Sequence, residues 1–439
     1  MAYPRRRTVW LLRAAWLALL LYGEVGVFYY RVARCPWPDT PSRTLATTDG
    51  RPVRVAIVAD PQIVDHYSYG QTGVLLRTVE FFTDIYIRKA YTALQQLRRP
   101  STAVFLGDLM DGGREWAGDA WLAEYTRYRS IFANRSPGAM RVYEMAGNHD
   151  IGIGNTVVDV ALERFQELVG PTNQVFEAGG HQIILLDTLT LESDSARVSS
   201  GSRQLVERLE RERIAGIHTP RVLFTHVPLW RPPGTLCGPL RQTSRELTDG
   251  RGYQFRNQLF QNTTLRLLEA IAPDVVFSGD DHDTCIVEHA VPATGKRVTE
   301  HTVGAFGWAG GVPVPSYALL TLHPPVPGSG GSGGGGASFA VQHCFLPYQL
   351  GTYKCYAAAL VLSLLAAAAA SCRVRWGWAG SGYLKVLHPP GLPPPATARP
   401  RWRGACCGPL ALRVARIIVD VAKVAVPAYA VCLIWPFIA

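Results

Sequence analysis

Five short apolar segments of this 439-residue chain each end in side chains that can bind a metal ion. Each segment is rich in β-branched residues and is bounded by Gly or Pro, a pattern that predicts a buried β-strand. In open α/β sheets, ligands gather at the carboxyl ends of the strands. Turns rich in Gly and Asp also end ordinary strands, but that interpretation fits one or two of these ends better than all five. The five ends are Asp60-Pro61-Gln62, Gly107-Asp108-Leu109-Met110-Asp111, Gly147-Asn148-His149-Asp150, His226 and Gly279-Asp280-Asp281-His282-Asp283.

Taken in this order, the motifs Asp-x-Gln, Gly-Asp-x-x-Asp, Gly-Asn-His-Asp, a single His and Gly-Asp-x-His resemble the calcineurin-like metallophosphoesterase superfamily. The superfamily usually has Asp-x-His first and Gly-His-x-His last, so this chain departs from it at Gln62 and Asp280. Residues 59–65, 107–116 and 278–285 are similar to the endoplasmic-reticulum phosphodiesterases that remove ethanolamine phosphate from the mannoses of glycosylphosphatidylinositol (GPI) anchors. The resemblance covers about residues 50–325 and the membrane layout.

The resemblance implies a site for two divalent cations and a role for each matching residue. Asp108 would be the carboxylate that bridges the two ions. The other ligands would divide between the first ion (Asp60, Gln62 and His282) and the second ion (Asn148, His226 and Asp280).

Two further residues would act without binding an ion. His149 would donate a proton or a hydrogen bond to the leaving oxygen. Asp111 is similar to the residue that orients this histidine.

The two departures predict which metal the site prefers. Gln62 and Asp280 offer oxygen where imidazole nitrogen is usual, and oxygen-rich sites favour Mn²⁺ or Mg²⁺ over Zn²⁺. Asp60, Asp108 and Asp280 also bring three negative charges against the four positive charges of two divalent ions. We therefore expect two divalent cations, with manganese preferred. The alternatives are that Gln62 does not bind, so that the first ion is weakly held, or that the protein is an inactive family member.

Residues that follow the motifs are candidates for lining the substrate cleft. They are Asp65, His66, Arg114 and Arg241. Packing within the loops is the alternative role for Asp65, His66 and Arg114. Arg241 lies in a long segment after His226, and long structured loops are often functional.

The net charge of +10 is concentrated outside the middle of the chain. Residues 1–34 carry six Arg and one Glu, and residues 373–439 are also strongly basic, which leaves residues 35–372 slightly acidic. A nucleic-acid-binding domain would need its basic face on the folded part. We therefore expect no nucleic-acid partner.

The pattern of strands and helices predicts an α/β fold. Apolar residues at helical spacing predict helices over 74–97, 121–132 and 161–169, and 202–212 has the pattern of a charged surface helix. Residues 181–187 predict a further strand, and 285–290 with 296–302 a hairpin. We expect a two-sheet metallophosphoesterase sandwich flanked by helices. The domain would cover residues 50–327 and be followed by a flexible Gly/Ser linker at 328–340.

Three apolar segments predict N- and C-terminal transmembrane helices. Residues 1–34 have the pattern of an uncleaved signal anchor, with a cleaved signal peptide as the alternative. Residues 353–372 are nearly long enough to span a bilayer, although a buried core helix has the same pattern. Residues 409–439 form a third span, whose first half carries charges. The positive-inside rule places the Arg-rich start of residues 1–34 and the basic loop 373–408 in the cytosol, and the domain in the lumen.

A luminal domain would expose its cysteines to an oxidising compartment. Cys35, Cys237, Cys285 and Cys344 would then be able to form disulfides, but the sequence does not fix their pairing. Asn134-Arg-Ser and Asn262-Thr-Thr are glycosylation sequons that only a luminal domain could use.

The sequence therefore predicts a membrane-anchored, metal-dependent phosphodiesterase with a luminal catalytic domain. The resemblance implies hydrolysis of an ethanolamine-phosphate diester on a GPI anchor in the endoplasmic reticulum membrane, with the Golgi as the alternative compartment. GPI glycolipids or GPI-anchored proteins, and the membrane, would be its partners. The alternative functions are a broader manganese-dependent phosphatase acting on phosphoproteins or nucleotides, and a non-catalytic adaptor for GPI-anchored cargo.

Overall fold

The structure is a computed structural model that describes residues 3–38, 52–135, 140–217, 219–247, 257–324, 339–376 and 410–438. The chain forms two compact units. The larger is Val27–Gln349, and the smaller combines Met1–Gly26 with Leu350–Ile438. Residues 328–338 of the predicted linker and 377–408 of the predicted cytosolic loop lie outside the described residues.

Two mixed β-sheets form the larger unit. The first has, in spatial order, β11 (Phe339–Phe345), β10 (Ser316–Leu322), β1 (Val53–Val58), β2 (Thr102–Phe105) and β3 (Arg141–Glu144). The second has β4 (Gln174–Ala178), β5 (His181–Leu185), β6 (Arg221–Phe224), β7 (Val275–Ser278), β9 (Arg297–Thr302) and β8 (Cys285–Ala290). Strands β1–β3 are parallel, as are β5, β6, β7 and β9, and the predicted β8–β9 hairpin is present.

The central strands β1, β2, β6, β7 and β10 are buried on both faces because each lies between the other sheet and a layer of helices. In β1, Val55 and Ile57 join the core between the two sheets, which also contains Phe224 of β6. The alternate residues Ala56 and Val58 pack in the core that contains the helices. Strands buried on both faces appear in sequence as continuous apolar runs. The predicted two-sheet sandwich is confirmed.

Helices cover the outer faces of the sheets. The four helices predicted from apolar spacing are present as α4 (Gly73–Arg98), α5 (Gly118–Ile131), α7 (Asp159–Leu168) and α9 (Ala196–Ile214). Helix α9 begins six residues before the predicted start, because Ser199 and Ser202 in its Ser-rich first turns are buried against the protein. The remaining helices of this unit are α2 (Val27–Ala33), α3 (His66–Tyr69), α6 (Asn148–Ile151), α8 (Thr188–Leu191) and α10 (Gln261–Ile271), with a 3₁₀ turn at Gly154–Thr156.

The domain boundaries predicted at both ends need correction. Strand β11 lies beyond residue 327, yet it pairs with β10 from Leu322↔Phe339 to Ser316↔Phe345. The Gly/Ser segment therefore connects two strands of one sheet and does not separate two domains. At the other end, α2 belongs to the larger unit, where the Phe28 ring packs 5.1 Å from that of Tyr86 in α4. The predicted anchor, residues 1–34, therefore contributes its last turns to this unit.

Two disulfides pair the four cysteines expected in an oxidising compartment. Cys35, which follows α2, is bonded to Cys344 in β11 across 309 residues of sequence. Cys237 is bonded to Cys285 at the start of β8. The first bond joins the beginning of the catalytic unit to its last strand, and the second attaches the segment after β6 to the second sheet.

The smaller unit contains the long apolar helices. They are α1 (Tyr3–Leu21), continued by a π-helical turn at Tyr22–Gly26, α11 (Gln349–Trp376) and α12 (Leu410–Ile438). By length and composition, Arg6–Ala33, Gln349–Cys372 and Leu410–Phe437 could each cross a membrane.

Polar residues within these apolar helices contact one another. The Tyr356 hydroxyl donates to buried Glu24 at 2.8 Å, and Arg13 Nε donates to the Asp420 carbonyl at 2.8 Å. Polar groups in membrane helices are usually paired in this way. Arg13 and Glu24 interrupt the apolar pattern of the first helix, and these contacts give both side chains polar partners.

A buried ionic network stabilises the second sheet. Glu300 in β9 is fully buried and accepts hydrogen bonds from Arg231 at 3.0 Å, His289 at 2.8 Å and Ser278 at 2.7 Å. Burial opposes its ionisation, but these partners outweigh that effect and lower the pKa of Glu300 to about 2. Because the pKa is lowered, the stabilisation is complete above the usual glutamate pKa and is lost only as the pH falls towards 2.

Replacing Glu300 by Ala leaves Arg231 buried without its carboxylate, and we expect a loss of about 3–5 kcal/mol in the free energy of unfolding. Urea denaturation of the detergent-solubilised chain at neutral pH measures the loss. Glu288→Ala is the matched control, because Glu288 lies in the neighbouring strand and pairs with Arg297 on the surface. Its loss should be about 0–1 kcal/mol, and equal losses for the two variants would contradict the network's role.

Candidate metal centre

Five of the predicted residues form two overlapping groups with ligand atoms within 4.8 Å of one another. The first group is Asp60, Asp108 and His282, and the second is Asp108, His226 and Asp280. Asp108 belongs to both groups, which is the position that a bridging carboxylate would need. Asn148 joins the second group, because its Oδ1 lies 2.8 Å from Nε2 of His226.

The backbone at the strand ends is unusual. Among the described residues, only seven other than glycine have a positive φ, and five of them are motif residues. Such conformations are sparsely populated and persist where the surrounding structure enforces them, often at functional sites. The five residues and their φ values are Asp60 (45°), Gln62 (37°), Asp108 (50°), Asp280 (62°) and His282 (65°).

The third motif requires glycine at position 147. A Cβ atom there would collide with the carboxylate and backbone nitrogen of Asp108. The same close approach lets the His149 amide donate to Asp108 Oδ1 at 2.9 Å. The ends of β2 and β3 can therefore lie against each other only because Gly147 has no side chain.

Backbone carbonyls orient both imidazoles of the cluster. Nδ1 of His226 lies 2.7 Å from the Leu106 oxygen, and Nδ1 of His282 lies 2.8 Å from the Gly310 oxygen. A carbonyl oxygen can only accept, so Nδ1 donates in both rings, and Nε2 is the nitrogen that would bind a metal after losing its proton. Metal-binding histidines are commonly held by such outer contacts.

The electrostatics of the cluster favour a bound cation. Burial raises the pKa of Asp60 well above its usual range, and the carboxylates of Asp108 and Asp280 add to the rise. Burial also raises the pKa of Asp280 to about 6. For His226, burial opposes the charged form, but the carboxylates of Asp108, Asp60 and Asp280 outweigh it and raise the pKa. Crowded, buried carboxylates disfavour their own ionisation unless positive charge is nearby, so this donor set fits divalent cations.

His149 lies beside the cluster and is held by Asp111. Its Nδ1 is 2.7 Å from the Asp111 backbone oxygen and 3.1 Å from the Asp111 carboxylate. The side-chain amide of Gln62 donates to the same carboxylate at 2.7 Å. Burial opposes protonation of His149, but the charges of Asp108 and Asp111 outweigh it and raise its pKa to about 10. Asp111 therefore orients the His149 ring, and Gln62, through its amide group, helps to hold Asp111.

Asp150 had no predicted role of its own, and the structure shows it to be a positioning residue. Its carboxylate is buried and accepts from the backbone amides of Gly147 at 2.8 Å and Leu109 at 3.1 Å. It therefore joins the second motif to the third. Its place in the Gly-Asn-His-Asp motif was the available signal, but the partner amides cannot be identified without the fold.

The residues predicted to line the cleft have other contacts in the structure. The buried Asp65 carboxylate accepts from the Gly112 amide at 3.0 Å and from Trp116 Nε1 at 2.8 Å. His66 is exposed and contacts the Gln71 carbonyl, and Arg114 pairs with Glu115. These contacts match the loop-packing alternative. Arg241 pairs with Asp281, as described below.

An open cavity of about 210 Å³ adjoins the cluster. Its lining includes Asp60, Gln62, Asp111, His282, Tyr69 and Trp308. The cleft exposes the predicted ligands Asp60 and His282 and also Asp111, which holds His149. It therefore provides space for a phosphate ester beside the metal cluster.

The two-sheet fold and the shared-carboxylate cluster define a metal-dependent phosphoesterase. Residues 53–284 match the family model described as calcineurin-like phosphoesterase. The chain is 34% identical over 367 residues to "Cell division control protein 1" of Saccharomyces cerevisiae, covering 81% of this chain and 72% of the yeast protein. It is 26% identical over 386 residues to "Metallophosphoesterase 1" of Ailuropoda melanoleuca, covering 82% of this chain and 90% of that protein. The chain therefore belongs to the calcineurin-like phosphoesterase family.

A solved structure described as "GAP50 the anchor in the inner membrane complex of Plasmodium" aligns with 71% of this chain and 95% of its own. Its identity of 13% and TM-score of 0.39 are too low to add to the assignment.

Family membership gives the cluster its chemistry. In this chain, Asp60, Asp108 and His282 would hold one ion, and Asp108, His226 and Asp280 the other. Two divalent cations supply charge that stabilises both the attacking and the leaving oxygens of a phosphoryl transfer. The protein's own contribution would be to orient the ester in the cleft and to place His149 beside it.

We expect His149→Ala to lower kcat for a dialkyl phosphate diester by about 10²–10⁴-fold, because the alkoxide leaving group needs a proton. The loss should be much smaller for bis(p-nitrophenyl) phosphate, since nitrophenolate leaves without protonation. Steady-state kinetics on the two substrates measure the difference, and metal analysis should show an unchanged metal content. Equal losses on both substrates would argue against proton donation by His149.

Proposed function

We propose that this chain is a membrane-anchored phosphodiesterase that removes ethanolamine phosphate from a mannose of the GPI anchor. The observation that carries the proposal is the variant metal centre, in which Asp280 joins the cluster and Gln62 contacts Asp111. These are the two positions where the chain departs from the superfamily and resembles the GPI-remodelling phosphodiesterases. The candidate membrane spans support the proposal, because they would keep the enzyme in the same plane as a lipid-borne substrate.

In the proposed reaction, the bond between phosphorus and the mannose oxygen breaks, and water supplies the new oxygen on phosphorus. The mannose oxygen takes the proton from His149, whose imidazolium Asp111 stabilises through the 3.1 Å contact. The products are the free mannose hydroxyl and ethanolamine phosphate. The proton that the attacking water loses returns to His149.

The proposed location is the membrane of the endoplasmic reticulum, with the catalytic unit in the lumen. Two disulfides in this unit support an oxidising compartment. The Arg-rich segments that flank the candidate spans support a cytosolic position for those segments. Asn262, an exposed sequon residue in the first turn of α10, offers a test of luminal exposure through glycosylation. The proposed partners are GPI glycolipids or GPI-anchored proteins and the membrane.

We further propose manganese as the preferred metal, because Asp280 supplies oxygen where imidazole is usual. Metal-free protein reconstituted with Mn²⁺ should hydrolyse bis(p-nitrophenyl) phosphate about tenfold faster than protein with Zn²⁺, a ratio equal to about 1.4 kcal/mol in activation free energy. Asp280→His is the informative variant, since it restores the usual ligand and should shift the preference towards Zn²⁺. Highest activity of the native protein with Zn²⁺ would refute the preference.

The GPI substrate is tested by mass spectrometry of GPI glycans from cells that carry only the native protein or Asp108→Asn. We expect the Asp108→Asn glycans to retain an extra ethanolamine phosphate, because the residue shared by both metal groups is changed. Asp119→Asn makes the same substitution at an exposed position in α5 and should leave the glycans unchanged.

Two other outcomes of this experiment would favour the alternatives. Identical glycans in all cells, with phosphodiesterase activity retained in vitro, would indicate a broader phosphatase. Full restoration of GPI-anchored protein transport by Asp108→Asn would indicate a non-catalytic adaptor.

A further inference from the structure

The last metal-binding motif, residues 279–283, forms a turn with an unfavourable backbone conformation. Asp280 and His282 both have a positive φ, a conformation that persists only where neighbouring contacts hold it. We call this segment the ligand turn. Its two other acidic side chains, Asp281 and Asp283, are almost fully buried, at 4% and 1% exposure, but neither belongs to the two metal groups. Buried carboxylates next to a metal centre require a different explanation.

Both carboxylates bind one neighbouring loop, residues 237–243, which we call the clamp loop. Arg241 forms a two-point ion pair with Asp281, in which Nη1 pairs with Oδ2 and Nη2 lies 3.2 Å from Oδ1. Two-point pairs between guanidinium and carboxylate fix geometry as well as charge. The pair also neutralises a carboxylate that would otherwise add to the negative charge between two ligands.

Asp283 fixes the backbone of the clamp loop. Its carboxylate accepts from the backbone amides of Gln242 at 3.0 Å and Thr243 at 2.8 Å, and from the Thr243 hydroxyl at 2.9 Å. Gln242 in turn bonds Val314 through both atoms of its side-chain amide, at 2.7 and 2.9 Å. Val314 follows closely after Gly310, whose carbonyl orients His282. The clamp loop is therefore attached to the ligand turn through Asp283 and, through Val314, to the segment that follows Gly310.

A covalent bond completes the attachment. Cys237 at the start of the clamp loop forms the disulfide with Cys285, two residues after the ligand turn. The Ile286 amide also donates to the Cys237 carbonyl at 3.1 Å. The ligand turn is thus followed at once by a residue that cannot move away from the clamp loop.

We propose that the clamp loop is a positioning element of the metal centre, in which Arg241 and the Cys237–Cys285 disulfide hold Asp280 and His282 in their metal-binding conformation. Asp281 and Asp283 serve this loop and bind no cation. The assignment gives Arg241 a positioning role in place of the substrate contact expected from the sequence. It concerns the metal centre itself and does not depend on which phosphodiester is the substrate.

Metal affinity tests the proposal directly. Mn²⁺ binding to the metal-free full-length chain is titrated by calorimetry for the native protein, Arg241→Gln, and the double variant Cys237→Ser/Cys285→Ser. We expect the affinity to fall about 10–100-fold in both variants, the range that supporting contacts of metal ligands usually contribute. Arg241→Gln keeps the disulfide and so remains informative if the double variant does not fold.

The second disulfide provides the matched control. Cys35→Ser/Cys344→Ser removes the same kind of bond, one that closes 309 residues at the other end of the unit. It should lower the thermal unfolding temperature and leave the Mn²⁺ affinity within about twofold of native, since it touches no metal ligand. A fold-wide effect would instead weaken Mn²⁺ binding in both double variants. Native affinity in Arg241→Gln and in Cys237→Ser/Cys285→Ser would overturn the proposal.

Discussion

The mutual repulsion of Asp60, Asp108 and Asp280 is the constraint on which the rest of the structure depends. Burial and proximity raise the pKa values of Asp60 and Asp280, so the cluster is unfavourable as an assembly of charges alone. It persists because it lies between two sheets whose interiors are tightly packed, and because the fold determines the path of each strand end. Two divalent cations held by these residues would offset this repulsion. A stable scaffold thus holds a site that would not assemble by itself.

The supporting contacts follow from this constraint. Several ligands are held by supporting contacts: His226 and His282 by backbone carbonyls, and Asp60 by the Asp280 backbone amide. Asn257 Nδ2 lies 3.5 Å from the Asp280 carboxylate. Buried carboxylates that bind no ion, such as Asp150 and Asp283, secure the backbone of neighbouring motifs. The site therefore contains two sets of acidic residues that differ in role and not in chemical type.

That difference marks the limit of what the sequence could predict. The positions of the ligands followed from their place at the ends of β-branched runs, and the helices followed from apolar spacing. Asp281 and Asp283 could not be separated from Asp280 by residue type, because their roles depend on which amides and guanidinium groups the fold brings near. The pairing of Cys35 with Cys344 was equally undetermined. Strand β11 was overlooked because the Gly/Ser segment before it has the composition of a linker, whereas the strand's alignment with β10 is a property of the sheet.

The late position of β11 has a consequence for how the protein is made. The first sheet lacks its edge strand, and Cys35 lacks its partner, until the ribosome has added the 309 residues that separate Cys35 from Cys344. At a synthesis rate of about 5–20 residues per second, this interval lasts roughly 15–60 s. Throughout it, the Cys35 thiol lacks its partner, whereas the edge of β10 is open only from the synthesis of Leu322 until β11 follows. The Cys35 thiol is therefore open to mispairing for most of the synthesis of this chain.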